Sequence, residues 1–271
     1  MSNLGNDLYR IVNGAKLVLF DQSELAQLTY GAFDIAARSM QESDQEKIEI
    51  SFPVGYRADK TTIDSKRTYN KEDLLRRYQY LAFNQLSVNG VVQLVTTVEA
   101  TLNDVVRATI LKYPQKLGSK RSISMKDVLE AASMDEVHFR ATDGLINELS
   151  YKSPTEFADA IKKIVPISLM ECPAYHKYVE IKATRDIFIH NRGIANDVYT
   201  RKSGTHARVN AGVALPAGTQ YYLESLESCL QMLEWLEKEL HDHWHSSEFE
   251  ERKNNKPETV QKNEETVADP V

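Results

Sequence analysis

Cysteine is nearly missing from this chain: 271 residues carry two, Cys172 and Cys229. No short Cys/His spacing surrounds either one, so there is neither a disulfide framework nor a thiolate zinc site, and a reducing compartment is expected. Long apolar runs are missing as well. None approaches the ~20 residues that cross a bilayer. Met1 to Arg10 lacks the apolar centre of a signal peptide, so a cytoplasmic chain with no membrane partner is expected. Excess positive charge is a third absence. Against 39 Asp and Glu stand 33 Lys and Arg, a net charge of −6, which excludes coating of nucleic acid by bulk charge and leaves RNA contact to a local basic patch. No internal repeat is visible. The run His241-Asp242-His243-Trp244-His245 invites a metal reading, but its alternation suits neither an i, i+4 helical pair nor a separated ligand set, so solvated or helix-ending histidines are expected.

What is present is mostly helical periodicity. Lys16–Phe20 and Lys47–Phe52 read as short strands, the second alternating apolar and polar up to Pro53. Between them, Asp21 or Ser23 caps a helix through Leu25, Leu28, Phe33, Ile35 and Ala36. Residues 54–69 are polar and turn-rich, as in a linker or long loop. Asn70 then caps a helix with Glu72 and Asp73 in its first turn. Asn89-Gly90 marks a break before a second pattern from Val91 to about Tyr113, which Pro114 ends. Lys116, Lys120 and Arg121 form a small basic loop, and Ser124 with Asp127 opens the next helix. Pro154 starts another that Pro166 closes, and Thr219 caps the last, with Tyr222, Leu223, Leu226, Leu230, Leu233 and Leu236 along one face. The expected organisation is a mixed α/β accessory segment over 1–69, a helical domain over 70–245 and a disordered tail over 246–271, where apolar side chains almost vanish.

The stretch with chemistry is Arg185-Asp186-Ile187-Phe188-Ile189-His190-Asn191-Arg192-Gly193, read as the end of an apolar helix that Gly193 stops in a left-handed conformation. At roughly 100° per residue its wettest strip falls at His176, Lys177, Glu180, Thr184 and Asn191. Arg185, Asp186 and His190 fall instead among Tyr178, Val179, Ile181, Phe188 and Ile189, where a charge needs a partner. Asp186 and His190, four apart, are helix-surface neighbours. Arg185 and His190, five apart, point about 140° away from each other, so two facing copies could grip one small ligand where a single helix could not.

These residues resemble the signature of the HEPN superfamily, all-helical dimeric proteins that include metal-independent endoribonucleases. That signature is an Arg, commonly followed by a polar residue, then a His four to six positions on near a helix end; Arg185, Asp186 and His190 match it. His190-Asn191-Arg192-Gly193-Ile194 looks like the HN-x-G-I turn of the RiboL-PSP-HEPN subgroup, and Val95 to Asp104 resembles its first core helix. The resemblance covers roughly residues 70 to 240. It implies a mainly α protein, an HEPN-like helical bundle with the small N-terminal extension and the tail described above.

It further implies a homodimer that cuts RNA without metal or cofactor at a composite site, in the setting of a toxin or antiphage effector, with an antitoxin or regulatory protein as partner. In RNA transphosphorylation the 2′-hydroxyl attacks its own phosphate. An imidazole titrating near neutrality suits the proton transfers, and a forked guanidinium suits the charge on the phosphoryl oxygens. The resemblance assigns His190 as acid/base, Arg185 as phosphate stabiliser and Asp186 as the residue that orients or polarises His190; Asn191 holds the turn or binds substrate. Arg192, with Arg201, Lys202 and Arg208 in the basic stretch 196–218 that also holds His206, is expected to face RNA. Glu99, Asn103 and Asp104 are candidates to line the same cleft, or else form a solvated strip. HEPN toxins often carry Tyr two residues after the His, and this chain has Arg192 there. A non-catalytic HEPN dimerisation module that binds a nucleotide, RNA or partner protein is the alternative, and a helical interaction protein with a coincidental motif is a third.

Overall fold

The computed structural model describes residues 3–118 and 123–254. Helix dominates it, as the periodicity requires. The first helix, α1 (Leu4–Glu42), runs unbroken for 39 residues. The strand expected at Lys16–Phe20 is therefore not formed. Burial at Val12, Ala15, Lys16 and Leu19, with Leu17, Val18 and Phe20 exposed, follows the helical period, and the four apolar residues Leu17–Phe20 have no period of their own to resist it.

A hairpin follows: β1 (Lys47–Tyr56) pairs antiparallel with β2 (Thr62–Asn70), Lys47 opposite Asn70 and Tyr56 opposite Thr62, with a register shift between Pro53 and Gly55. The first strand is as expected. Residues 54–69 are not a loop, because most of them belong to the two strands. Neither strand has a buried residue; the first still alternates half-buried and exposed positions through Phe52, whereas the second is largely exposed on both faces and lacks the alternation that betrays a half-buried strand.

From the hairpin the chain enters α2 (Lys71–Gln79), a π-helical turn at Tyr80–Gln85 and α3 (Leu86–Lys112). Asn70 ends β2, and its side chain makes no cap bond. The irregular turn lies at Tyr80–Gln85, not at Asn89-Gly90, which sits inside α3. There Phe83 stacks on Tyr30 at 5.2 Å and meets Phe33 edge-on at 5.2 Å. Gly90 serves packing: a Cβ on it would lie 2.5 Å from the ring of Tyr222.

The remaining helices are α4 (Met125–Glu130), α5 (Met134–Ser150), α6 (Pro154–Ile164), α7 (Tyr175–His190), α8 (Asp197–Ser203), α9 (Thr219–His243) and α10 (Ser247–Asn254), with 3-10 turns at Pro114–Leu117, Leu169–Glu171 and Gly204–His206. Pro154 starts α6 as expected, behind a Ser153/Glu156 capping box. Lys120 and Arg121 lie outside the described residues.

The disorder expected from Ser246 is corrected by α10. Its few apolar atoms are supplemented by polar ones: Arg10 donates to Glu248 at 3.0 Å, His241 Nε2 pairs with Glu250 at 2.9 Å, and the Ser246 N–H donates to His241 Nδ1 at 3.1 Å. Phe249 covers the His241 ring at 4.3 Å. His241 is thereby a structural, helix-ending residue. Residues 255–271 of the expected tail lie outside the described part.

By internal contact the chain sorts into two compact units of interleaved segments, Met1–Ala15 with Ala100–Pro173 and Met232–Val271, and Lys16–Glu99 with Ala174–Gln231. The motif belongs wholly to the second unit. No helix among the described residues is long and apolar enough to cross a membrane.

Because a Cβ on Gly90 would overlap the buried Tyr222 ring, Gly90→Ala is expected to lower the unfolding free energy by about 1–3 kcal/mol, read from urea denaturation.

Candidate functional site

Helix α7 is buried around most of its circumference. Tyr175, Tyr178, Val179, Ile181, Ala183 and Ile187 are buried, and so are Glu180 and Thr184, both with no exposed surface. The wet strip expected at those last two positions is thus a buried polar core. The Glu180 carboxylate accepts from Thr184 Oγ1 at 2.8 Å, the Tyr199 hydroxyl at 2.9 Å, the Tyr221 hydroxyl at 2.9 Å and Arg208 Nε at 3.0 Å. Burial pushes the phenols of Tyr199 and Tyr221 up, which keeps them as donors. Arg208 also donates from its second amino nitrogen to Thr184 Oγ1 at 3.2 Å and from its first to the Pro216 carbonyl, and its guanidinium lies 3.5 Å over the Tyr221 ring. The Tyr199 hydroxyl in turn accepts the Arg208 N–H at 3.0 Å. Sequence reasoning missed this cluster because partners 19, 28 and 41 residues from Glu180 leave no local signal.

The helix ends as expected. Gly193 takes φ 79°, and Arg192 before it takes φ 52°, a left-handed conformation that strains a side chain with a Cβ. The Asn191 amide nitrogen donates to the Ile194 carbonyl, which assigns Asn191 to holding the turn. The chain then folds back on itself: Leu215 N–H donates to Gly193 O at 2.8 Å, Ala195 N–H to Val213 O at 2.9 Å and Gly212 N–H to Ala195 O at 2.8 Å. Beneath this clasp Ala183, Ile187, Ala195, Tyr199 and Leu215 form a small apolar core. Motif, α8 and the 204–216 segment therefore fold as one piece.

On this piece opens a cavity of about 210 Å³ lined by Asp186, Ile187, His190, Asn191, Asn196, Val198, Tyr199 and Lys202, among others. His190 stands exposed at its edge, and among the described residues its ring makes no hydrogen bond or ion pair. Asp186 does not bond to it. Its oxygens lie instead 3.4 Å from Arg185 and 3.7 Å from Lys202 Nζ. Arg185 turns inward, 16% exposed, onto Glu99, which it shares with Lys182; its Nε has no hydrogen-bond partner among the described residues. Burial, with the Arg185 guanidinium alongside, lowers the Lys182 pKa to about 8, opposed by the carboxylate of Asp186.

Of the expected site residues, then, the structure gathers Asp186, His190, Asn191 and Lys202 at one cavity and joins Arg185 to Glu99. Arg192 and Arg201 are exposed. Arg208, expected to face RNA, has its guanidinium filled by Glu180, Thr184 and Pro216; a glycine-rich basic stretch gave no sign of this. Asn103 and Asp104 belong to the first unit, where Asp104 pairs with Arg107 at 2.9 Å. His206 stacks on His176 at 6.3 Å. Among the described residues no group of three His, Cys, Asp or Glu is arranged to hold a metal ion.

The fold and site define a mainly helical protein with a histidine, a carboxylate and a lysine around an open cavity at a helix end. No family model, curated protein or solved structure matches the chain.

Glu180→Gln removes the charge that Arg208 is buried against, and about 3 kcal/mol of stability should be lost. Exposed Arg201→Ala should stay within ~0.5 kcal/mol of wild type in the same denaturant titration. Arg192→Gly is expected to stabilise by roughly 1 kcal/mol, since glycine accepts a φ of 52° without strain.

Proposed function

We propose that this protein is a metal-independent endoribonuclease of HEPN type that cleaves RNA by attack of the substrate 2′-hydroxyl. The convergence of His190, Asp186 and Lys202 on one open cavity supports the reading most directly. An exposed imidazole, free of internal partners, is available to take the 2′-hydroxyl proton or to return one to the 5′-oxygen leaving group. Cleavage breaks the phosphorus–5′-oxygen bond as the phosphorus–2′-oxygen bond forms, and leaves a 2′,3′-cyclic phosphate. Lys202 supplies positive charge for the phosphoryl oxygens. Asp186 holds Lys202 in place, and Arg185 braces Asp186 from the Glu99 side, so Arg185 acts as a positioning residue. One copy offers one such imidazole; acid and base together come from two copies in a homodimer, as the HEPN resemblance implies. The setting of toxin or antiphage effector, and an antitoxin or regulatory protein as partner, are carried by that resemblance alone.

A second reading, a non-catalytic module that binds a nucleotide, RNA or partner protein, is favoured by one observation: the Arg185 guanidinium is already engaged by Glu99 and Asp186.

Incubation of the purified protein with mixed cellular RNA in excess EDTA separates the two. Wild type should yield cyclic-phosphate ends, His190→Ala of matched folding should be slower by ~10²–10⁴-fold, and Lys202→Ala by roughly 10²-fold. Equal cleavage by wild type and His190→Ala would remove His190 from the chemistry, and no cleavage by either would favour the binding module.

A further inference from the structure

Over residues 17–39, which lie in the second unit, the exposed side of α1 carries an unusual load of apolar surface. Leu17, Val18, Leu25, Leu28 and Ile35 are all 44% exposed or more, with Ile35 at 69%. Their spacing has a second regularity. Val18, Leu25 and Ala32 recur every seven residues, as do Leu28 and Ile35, offset by three, which is the a/d seam of a coiled coil rather than the scatter of single exposed side chains. Polar Asp21 and Ser39 occupy the same seam at its two ends.

We infer that this seam packs against the same seam of a second copy, the two α1 helices running antiparallel about a two-fold axis near residue 30. In that register Leu25 layers against Ile35 of the second copy, Leu28 against its Ala32, and Asp21 against its Ser39, so large faces small at the centre and polar faces polar at both ends. The charges select the direction. Glu24 and Arg38 flank the seam on one edge, and neither has an ion-pair partner among the described residues. An antiparallel arrangement sets each Glu24 beside Arg38 of the other copy, twice over; a parallel one sets Glu24 opposite Thr29 and pairs nothing. Gly31, midway along that edge, has nothing within 4 Å of where a Cβ would stand, so two backbones can approach there.

Other occupants fit less well. Residues 255–271 contain no Leu, Ile, Met or aromatic residue to fill the seam. A membrane surface favours helices flanked by Lys and Arg, whereas this face carries Asp21, Glu24 and Asp34 against Arg38. The inference does not depend on the chemistry at His190.

Sedimentation velocity of the full chain from roughly 1 to 100 µM, a range that brackets micromolar dissociation constants, tests it. Wild type should self-associate reversibly, and the step that runs through α1 is isolated by variants on the seam. Leu28→Asp with Ile35→Asp, both on exposed positions and expected to leave the far-UV circular dichroism spectrum unchanged, should weaken dimerisation by at least ~10²-fold. Glu24→Arg and Arg38→Glu should each weaken it several-fold, and the two together should restore it. A wild type that stays monomeric overturns the inference. So does a dimer indifferent to the double aspartate variant, an outcome that would leave a composite RNA site on another surface intact. A double charge reversal no better than either single one would refute the antiparallel register.

Discussion

One carboxylate, that of Glu180, holds the second unit together. It has no exposed surface, yet it is fully satisfied by two tyrosine hydroxyls, a threonine hydroxyl and an arginine. A buried charge is tolerated only when its partners are in place, so every element that carries one is pinned: α7 by Glu180 and Thr184, α8 by Tyr199, the 204–216 segment by Arg208 and the start of α9 by Tyr221. Such a cluster adds less to stability than its bond count suggests, since each member was hydrated before folding. Its stronger consequence is specificity, because an alternative packing of α7 would strand the charge.

The candidate site inherits its shape from this cluster. With Glu180 and Thr184 turned to the interior, the residues on other sides of α7 are set: Arg185 goes to Glu99, and Asp186 and His190 line the cavity. Tyr199 belongs to both, its hydroxyl on Glu180 and its ring in the cavity wall. The two cationic side chains nearest Asp186 therefore differ in use, Arg185 committed inward and Lys202 held at the opening. That division leaves lysine, not arginine, as the cation that lines the opening.

The sequence announced local events well. Gly193 stops α7, Pro154 opens α6, and the alternation through Phe52 makes a strand, because each depends on residues within a few positions of one another. Long-range events left no such trace. Helical-wheel reasoning put Glu180 and Thr184 toward water because it assumes one wet face, and α7 has almost none. Arg208 looked like an RNA contact for the same reason: the tyrosine and carboxylate that enclose it come from other helices. The hairpin's second strand was invisible because neither of its faces is buried, and α10 because ion pairs with α1 and α9 stand in for apolar content. The cavity residues Asp186, His190, Asn191 and Lys202 were all named from the sequence, whereas their mutual arrangement, with Asp186 on Lys202 and not on His190, was not.

The most direct measurement is a double-mutant cycle on the central pair, Glu180→Gln, Arg208→Met and the two combined, followed by chemical denaturation of each. A shared buried hub requires strong coupling: the double variant should be more stable than the sum of the single losses implies, by about 2 kcal/mol or more. Additive losses, within ~0.5 kcal/mol, would mean that Glu180 and Arg208 act independently and that the carboxylate does not organise the site.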